Sequence, residues 1–304
     1  MKLRFMPAKP GRLLVLVAVL AALAVGEWWY RRWQPARTVN TAHYTIQSSA
    51  STGQTQEIGE VVEVLYEAYG KLFASFPQVR QPHPKLQLKL FQDRDEFRRC
   101  HRGVGWMEAF YRYPCCHAYY SSSEVNPYHW MLHEAVHQLN REVARLELPQ
   151  WMDEGLGEYF GTSLLRQGAL NPGQVDRNTY PIWWLEDISL SGNLDTDLRH
   201  GEIIPLRCII SGTGGPKLDS SFNLYYVEWW SLTHFLFQFD GGKYREAYFR
   251  ILQEGGTLAS FEKNVGPVER IQTEWYGHLL DQKKALNSLP PKRSKTKSGA
   301  GETR

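Results

Sequence analysis

The stretch that decides the fold is residues 133–137, H-E-A-V-H, followed by residues 148–160, L-P-Q-W-M-D-E-G-L-G-E-Y-F. Residues four apart lie on the same face of a helix, one turn above the other. His133 and His137 can therefore offer two imidazole nitrogens to one ion, and Glu134 projects beside them. The spacing predicts a metal-binding helix.

H-E-x-x-H is the pattern in which two histidines hold Zn²⁺ and the glutamate acts as general base. A catalytic zinc normally has three protein ligands and a water. Two histidines are one ligand short, so a second helix must supply the third. Segment 151–160 is the predicted donor, and the alternative is a buried helix whose two histidines are merely hydrogen-bonded.

The limits of the first helix follow from its flanking residues. Asn126 is the expected N-cap and Pro127 the first helical residue. Arg141 and Arg145 are expected to close the helix with positive charge. The short connection at 147–149 then allows an antiparallel return.

H-E-x-x-H followed by W-x-D-E-G-L-x-E-Y-F resembles the gluzincins, metallopeptidases whose third zinc ligand is a glutamate on the next helix. It is similar to the aminopeptidase N type (W-x-N-E-G-F-A) and closer to the peptidase-MA-like domains of bacterial exported proteins. The resemblance implies that Glu154 is the third ligand and that Glu158, one turn on, orients a ligand histidine. The sixteen residues between His137 and Glu154 are slightly fewer than in aminopeptidase N, so a shifted register would exchange the two glutamates.

A second resemblance lies in residues 222–239, which are predicted to form a strongly apolar helix. Residues 226–236, Y-V-E-W-W-S-L-T-H-F-L, resemble the Y-x-x-x-W-x-x-x-H-F-L segment of the peptidase-MA-like family. Peptide hydrolysis passes through a tetrahedral oxyanion, which a phenol or imidazole near the zinc can stabilise. Tyr226 is the first candidate for this donor, and His234 and Tyr225 are the alternatives. A further alternative is that all three residues only pack in the protein core.

The expected fold class is α+β. The resemblance implies a zincin-like arrangement, with a small N-terminal mixed sheet and helices followed by a mostly helical C-terminal subdomain. Alternating and three-four hydrophobic patterns predict strands at 43–47, 86–90 and twice within 109–122, and helices at 52–76, 94–99, 222–239, 244–253, 258–265 and 268–286. By the resemblance, 117–122 is the sheet edge bordering the cleft, where a peptide could add as a strand. Residues 34–40 are expected to be a linker and 168–220 a turn-rich region.

Three segments are expected along the chain. Residues 1–37 form an N-terminal membrane anchor or signal with its linker. Residues 38–289 form a metallopeptidase-like domain, with a sheet-containing lobe at 38–147 and a mainly helical lobe at 148–289. Residues 290–304 are Lys- and Arg-rich and predicted to be a disordered tail.

The overall charge of +3 is unevenly distributed. Residues 1–37 carry seven Lys or Arg against Glu27, and residues 290–304 carry five against Glu302, giving +6 and +4. The part between them therefore carries −7. An acidic body argues against nucleic acid as a partner, and a peptide or protein substrate is the expected one.

The N-terminus has the pattern of an export signal or an anchor. Four basic residues, Lys2, Arg4, Lys9 and Arg12, precede an uninterrupted apolar run at 13–25. A run of this length suits a signal peptide cleaved near 22–24, whereas the aromatic cluster after it would complete a span. The favoured prediction is an uncleaved membrane anchor with the catalytic domain on the non-cytoplasmic side, and the alternative is secretion after cleavage.

The remaining histidines and cysteines carry weaker predictions. His101, His117 and His129 are expected to be ordinary core or surface residues. The four cysteines, Cys100, Cys115, Cys116 and Cys208, fit no zinc motif and are expected either as free thiols or as a disulfide from Cys100 to Cys115 or Cys116.

The predicted function is zinc-dependent hydrolysis of peptide bonds, with Glu134 as the base that takes the proton from water. One alternative is a membrane-anchored, catalytically inactive binding or scaffolding protein. Another is a hydrolase of a non-peptide bond. No segment resembles the G-x-M-E-N exopeptidase signature, so specificity for an N-terminal amine is not expected.

Overall fold

The computed structural model describes residues 10–105 and 107–288, and the predicted tail at 290–304 lies outside this part. Its fold is α+β, as predicted. The first elements are α1 (Pro10–Arg31), β1 (Arg37–Asn40), β2 (Tyr44–Ser48), α2 (Thr52–Leu72), β3 (Leu86–Phe91), α3 (Arg94–Cys100), β4 (Phe110–Arg112), β5 (Cys115–Tyr119) and α4 (His129–Gln138). They are followed by α5 (Gln150–Gly161), β6 (Ser163–Arg166), β7 (Ala169–Val175), α6 (Ile182–Asp187), α7 (Leu194–His200), α8 (Leu206–Ser211), α9 (Phe222–Gln238), α10 (Arg245–Gln253), α11 (Leu258–Asn264) and α12 (Val268–Asn287).

Five strands form a mixed sheet in the order β1-β2-β3-β5-β4. Strands β2, β3 and β5 are parallel, and β1 and β4 run antiparallel to their neighbours. Side chains of β2 and β3 are alternately buried, as the sequence alternation predicts. Ser51 caps α2 in a capping box with Gln54, and Asp93 caps α3, so both helix starts are confirmed.

Two predictions about the sheet are wrong. The expected edge at 117–122 is interior, because β5 pairs with β3 on one side and with β4 on the other. The chain turns back at residues 113–114, so the shorter strand β4 forms the edge next to the cleft. The expected linker at 34–40 contains β1, whose residues are alternately half buried and exposed and therefore give a weak sequence signal.

Helix α4 begins at His129, later than predicted, with Tyr128 at the N-cap. The Asn126 side chain accepts a hydrogen bond from the Tyr128 N–H at 3.2 Å, so it supports the loop before the helix instead of capping it. A π-helical turn at Leu139–Val143 continues α4. The chain leaves this turn at Arg145, which has a left-handed φ of 54°.

Helix α5 begins after Pro149 and packs between α4 and α9. Strand β7 of the hairpin β6–β7 and the short helices α6 to α8 occupy the region at 168–220 that was expected to be turn-rich. The predicted C-terminal helices are present as α9 to α12. Buried residues of both predicted lobes, from Tyr44 to Leu286, belong to one continuous hydrophobic core, which fixes α4 against α5.

Helix α1 carries apolar side chains that are exposed: Val15, Leu16, Val17, Val19, Leu20, Leu23 and Val25. In the part of the chain that the structure describes, no helix has both the length and the apolar character needed to cross a membrane. The end of α1 lies against the body through an ion pair between Glu27 and Arg102 at 3.0 Å. The membrane anchor stays a prediction.

None of the four cysteines forms a disulfide, which agrees with the free-thiol alternative. Cys116 is fully buried, and burial raises the pKa of its thiol well above the usual value.

Candidate metal centre

His133 and His137 of α4 point toward one another. Their Nε2 atoms lie 2.9 Å apart, and both rings are largely buried. The opposite face of the helix carries Leu132, Ala135 and Val136 into the core. Because that apolar face is fixed, His133 and His137 are held on the side that faces α5.

Glu154 on α5 completes the cluster. Its Oε2 lies 3.3 Å from Nε2 of His133 and 3.8 Å from Nε2 of His137. This oxygen is buried and has no hydrogen-bond partner. Among the described residues, these three form the one group of potential metal ligands whose donor atoms all lie within 4.8 Å of one another.

The donor set fits Zn²⁺. Two imidazole nitrogens and a carboxylate oxygen are a common protein ligand set for a catalytic zinc. A buried carboxylate oxygen without a donor is costly, and a bound cation would satisfy it. We therefore take the cluster as a candidate zinc site held by His133, His137 and Glu154.

Glu158 lies on the outer side of His133. Its Oε1 is 3.1 Å from Nδ1 of that ring, the nitrogen that faces away from the cluster. Glu158 is thus placed to orient His133, and the structure has Glu154 and not Glu158 inside the cluster. The exchanged register that the sequence left open is not adopted.

Asp153 is a site residue that the sequence reasoning missed. Its Oδ2 lies 3.1 Å from Nδ1 of His137, and its Oδ1 accepts a hydrogen bond from Asn140, which in turn accepts one from Tyr69. Each ligand histidine needs a partner for its second ring nitrogen. The sequence predicts such a partner, Glu158, for one histidine only. The partner of the other histidine could have been predicted from Asp153, because it directly precedes Glu154.

Burial alone would lower the pKa of both histidines, but the neighbouring carboxylates outweigh it. Glu158 and Glu154 raise the pKa of His133 well above its usual value, and Asp153 raises that of His137 to about 9. In return, the histidines lower the pKa of Asp153 and of Glu154 in spite of their burial. The cluster therefore stabilises positive charge between its side chains.

Two glycines of α5 allow close helix packing. A Cβ at Gly157 would lie 2.8 Å from Cε1 of His133, so the bare backbone makes room for the imidazole. Gly155 faces α9 instead: a Cβ there would lie 2.9 Å from the carbonyl oxygen of Trp229. Each glycine thus has a packing reason that outweighs its low helix propensity.

Glu134 lies next to the cluster and lines the same cleft. Its Oε2 accepts a hydrogen bond of 2.8 Å from the backbone N–H of Tyr111, on the edge strand β4. The Tyr111 hydroxyl donates to Glu142, which also accepts from Gln138. The edge strand therefore positions the carboxylate of Glu134 through the main chain.

Tyr226 reaches the site from α9, with its ring 6.3 Å from that of His133 between centroids. Burial raises the pKa of the Tyr226 phenol far above its usual value, and the nearby negative charge of Glu154 raises it further. The phenol therefore stays protonated and can donate a hydrogen bond. Neither alternative lines the cleft: His234 contacts the carbonyl oxygen of Gly173 at 3.0 Å, and the Tyr225 hydroxyl donates to that of Pro216.

The cleft has a volume of about 340 Å³. It is lined by strand β4 and the residues before it, by the metal-ligand cluster, and by a group of aromatic side chains that we call the aromatic wall. The wall consists of Trp130, Tyr180, Phe222 and Tyr226. The site is thus a concave, partly apolar cleft with convergent polar groups, the usual form of a ligand site.

Residues 130–262 match a protein family described as "Protein of unknown function (DUF1570)". The matched part begins within α4 and contains every residue of the candidate centre that lies on α4, α5 and α9. No curated protein matches the chain.

Proposed function

We propose that the protein is a zinc-dependent metallopeptidase of gluzincin type with a zincin-like fold. One observation carries the proposal: the buried Oε2 of Glu154, which has no hydrogen-bond partner, faces the Nε2 atoms of His133 and His137, while the carboxylate of Glu134 lies in the same cleft. A purely structural metal site would have no use for that additional carboxylate.

His133, His137 and Glu154 would hold the zinc, with Glu158 and Asp153 fixing the two imidazole rings through their Nδ1 atoms. Zinc at such a site supplies Lewis acidity, which polarises a carbonyl group and lowers the pKa of water. A further observation supports the fit, because the carboxylates around both rings favour positive charge there.

The remaining steps belong to protein side chains. Glu134, held by the Tyr111 N–H, accepts a proton from the attacking water and returns it to the leaving amine. Tyr226 donates a hydrogen bond to the oxyanion that develops on the substrate carbonyl. The aromatic wall limits access of bulk water from its side of the cleft.

The test is zinc content and peptidase activity of Glu134→Gln, assayed on a broad peptide library. We expect zinc to be retained and the turnover number to fall by about 10²- to 10⁴-fold, the usual contribution of general acid–base catalysis. Glu60→Gln, at an exposed position of α2, is the matched control and should leave both unchanged. Equal turnover in Glu134→Gln would contradict the proposal, and zinc binding without cleavage in the unsubstituted protein would favour the inactive binding protein.

We also propose, from the N-terminal sequence pattern and the exposed apolar side chains of α1, that this segment anchors the domain to a membrane on its non-cytoplasmic side. Alkaline extraction of membranes and protease accessibility in spheroplasts would test it. Release of the full-length chain by alkali would contradict the anchor, and a shortened mature chain would favour signal cleavage.

A further inference from the structure

A side pocket of about 530 Å³ opens next to the cleft, on the Asp153 side of the candidate centre. It shares Tyr111, His137 and Asp153 with the cleft, so the two spaces lie side by side. The rest of its wall comes from the end of α4 and the loop after it: Asn140, Arg141, Arg145, Leu146, Glu147 and Leu148. None of the aromatic wall lines this pocket.

Two guanidinium groups line the pocket without a carboxylate partner in the described part of the chain. Arg141 and Arg145 are exposed, and within residues 10–105 and 107–288 neither forms an ion pair. The guanidinium of Arg141 lies over the ring of Tyr113, 5.6 Å from its centroid. Of the two carboxylates in the pocket, Asp153 already contacts His137 and Asn140, and Glu147 is exposed.

The backbone at Arg145 gives independent support. Its φ of 54° lies in the left-handed region, and the next N–H, that of Leu146, donates to the carbonyl oxygen of Asn140 at 2.8 Å. This is the helix-terminating position at which glycine is favoured. The left-handed conformation is unfavourable for arginine, and backbone strain of this kind is concentrated at functional sites.

We propose that the side pocket binds a carboxylate group of the peptide substrate, either an acidic side chain or the free C-terminus. The inference rests on the proposed peptidase function and adds a substrate class to it. The guanidinium group of arginine can bind a carboxylate through two parallel hydrogen bonds, and two guanidinium groups without an ion pair lie next to the candidate metal centre. Because both are solvent-exposed, the preference should be moderate and should weaken with salt.

The test compares cleavage of three matched peptide series by the zinc-loaded protein. One series is C-terminally amidated with one Glu at successive positions, the second has Gln in its place, and the third has Gln and a free C-terminus. We expect kcat/KM to be roughly fivefold higher at low salt for one position of the Glu series or for the free C-terminus. The series that gains identifies which carboxylate is bound.

The double variant Arg141→Gln, Arg145→Gln should abolish this difference, and so should Arg145→Gly with Arg141→Gln, which keeps the left-handed turn. Arg199→Gln removes one positive charge from α7, outside the cleft and the pocket, and should leave the difference intact. Equal kcat/KM for all three series would overturn the inference while leaving the proposed peptidase function in place.

Binding of the same peptides to zinc-loaded Glu134→Gln, measured by fluorescence anisotropy, gives a readout that does not need turnover. If no peptide is cleaved but carboxylate-bearing peptides bind more tightly in an Arg141- and Arg145-dependent way, the proposed function fails and the inference stands. If no peptide is cleaved and binding shows no such dependence, both fail.

Discussion

At the scale of single residues, the candidate centre depends on groups that never contact the metal. Asp153 holds the Nδ1 side of His137 and is itself held by Asn140. Removing its charge leaves the three ligands in place but weakens the basicity and orientation of one of them. A substitution of Asp153 therefore tests whether the cluster functions as a zinc site.

Asp153→Asn is expected to lower zinc affinity by about 10- to 100-fold and to lower the pKa of His137 from its raised value of about 9. Competition with a chromophoric chelator measures the affinity. Asp219→Asn makes the same change outside the cleft and side pocket and should leave affinity unaltered. Equal zinc affinity in Asp153→Asn and the unsubstituted protein would contradict the orienting role.

Gly157→Ala tests the close approach of α5 to α4. The added Cβ would lie within 3 Å of the His133 ring, so the imidazole must move and zinc affinity should fall at least about tenfold. Gly70→Ala in α2 is the matched control, because a Cβ there meets nothing within 4 Å. The control should gain about 0.5–1 kcal/mol in the free energy of unfolding and keep its zinc affinity. Retained affinity in Gly157→Ala would show that the contact is not needed.

At the scale of elements, α9 contains a buried acid that the site does not use. Glu228 accepts a hydrogen bond of 2.7 Å from the N–H of Ile204, while its second oxygen has no partner. Burial raises the pKa of this carboxyl well above its usual value. Above the unfolded pKa of about 4.3, the Glu228 carboxyl loses its proton in the unfolded chain but keeps it in the folded protein. The free energy of unfolding that this group contributes therefore falls as the pH rises above that value.

Glu228→Gln keeps an acceptor for Ile204 without this titration. We expect the variant to match the unsubstituted protein near pH 4 and to be more stable at pH 7, because the glutamine side chain does not ionise as the pH rises. Unfolding by urea at both pH values measures the difference. A variant that is equally or less stable at pH 7 would mean that the carboxyl is ionised in the fold.

Some elements could be predicted from the sequence because their signals are local. The capping box at Ser51 and the alternation of β3 each specify their element within a few residues. The hairpin β6–β7 was not predicted, because its turn lacks a usual hairpin sequence. The two turn residues, Gln167 and Gly168, both have positive φ, and glutamine is unusual in that conformation. Helices α6 to α8 each have six or seven residues, too few for a three-four period to be recognised.

Local signals also account for the site residues that could be predicted from the sequence. His133, His137 and Glu154 follow from spacing within and between two adjacent helices, and the structure brings them together. The choice between strand β4 and strand β5 as the cleft edge depends on strand pairing, which a sequence of short alternating segments does not encode. For Tyr226, only the packing of α9 on α5 decides that it, and not His234, reaches the cleft.

At the scale of the whole molecule, the candidate centre joins two parts of the chain. Its histidines come from α4, which follows the five-stranded sheet along the chain, and Glu154 comes from α5, in the part of the chain that is mainly helical. In the unfolded chain these ligands are not preorganised, so a zinc ion binds the folded state in preference. Binding free energy then adds to the free energy of unfolding.

Zinc at 1,000 times its dissociation constant should add about 4 kcal/mol, which raises Tm by about 8–16 °C in a domain of this size. Scanning calorimetry with and without a chelator measures the shift. Glu154→Gln should lose most of it, because an amide oxygen replaces the carboxylate between the two imidazoles, whereas Glu60→Gln should keep it in full. Calcium at the same concentration is the ion control, since it prefers oxygen ligands and a larger coordination number than this cluster supplies. A zinc-induced shift of equal size in Glu154→Gln would place the metal elsewhere, and the site would then lose its third ligand and the argument for catalysis at Glu134.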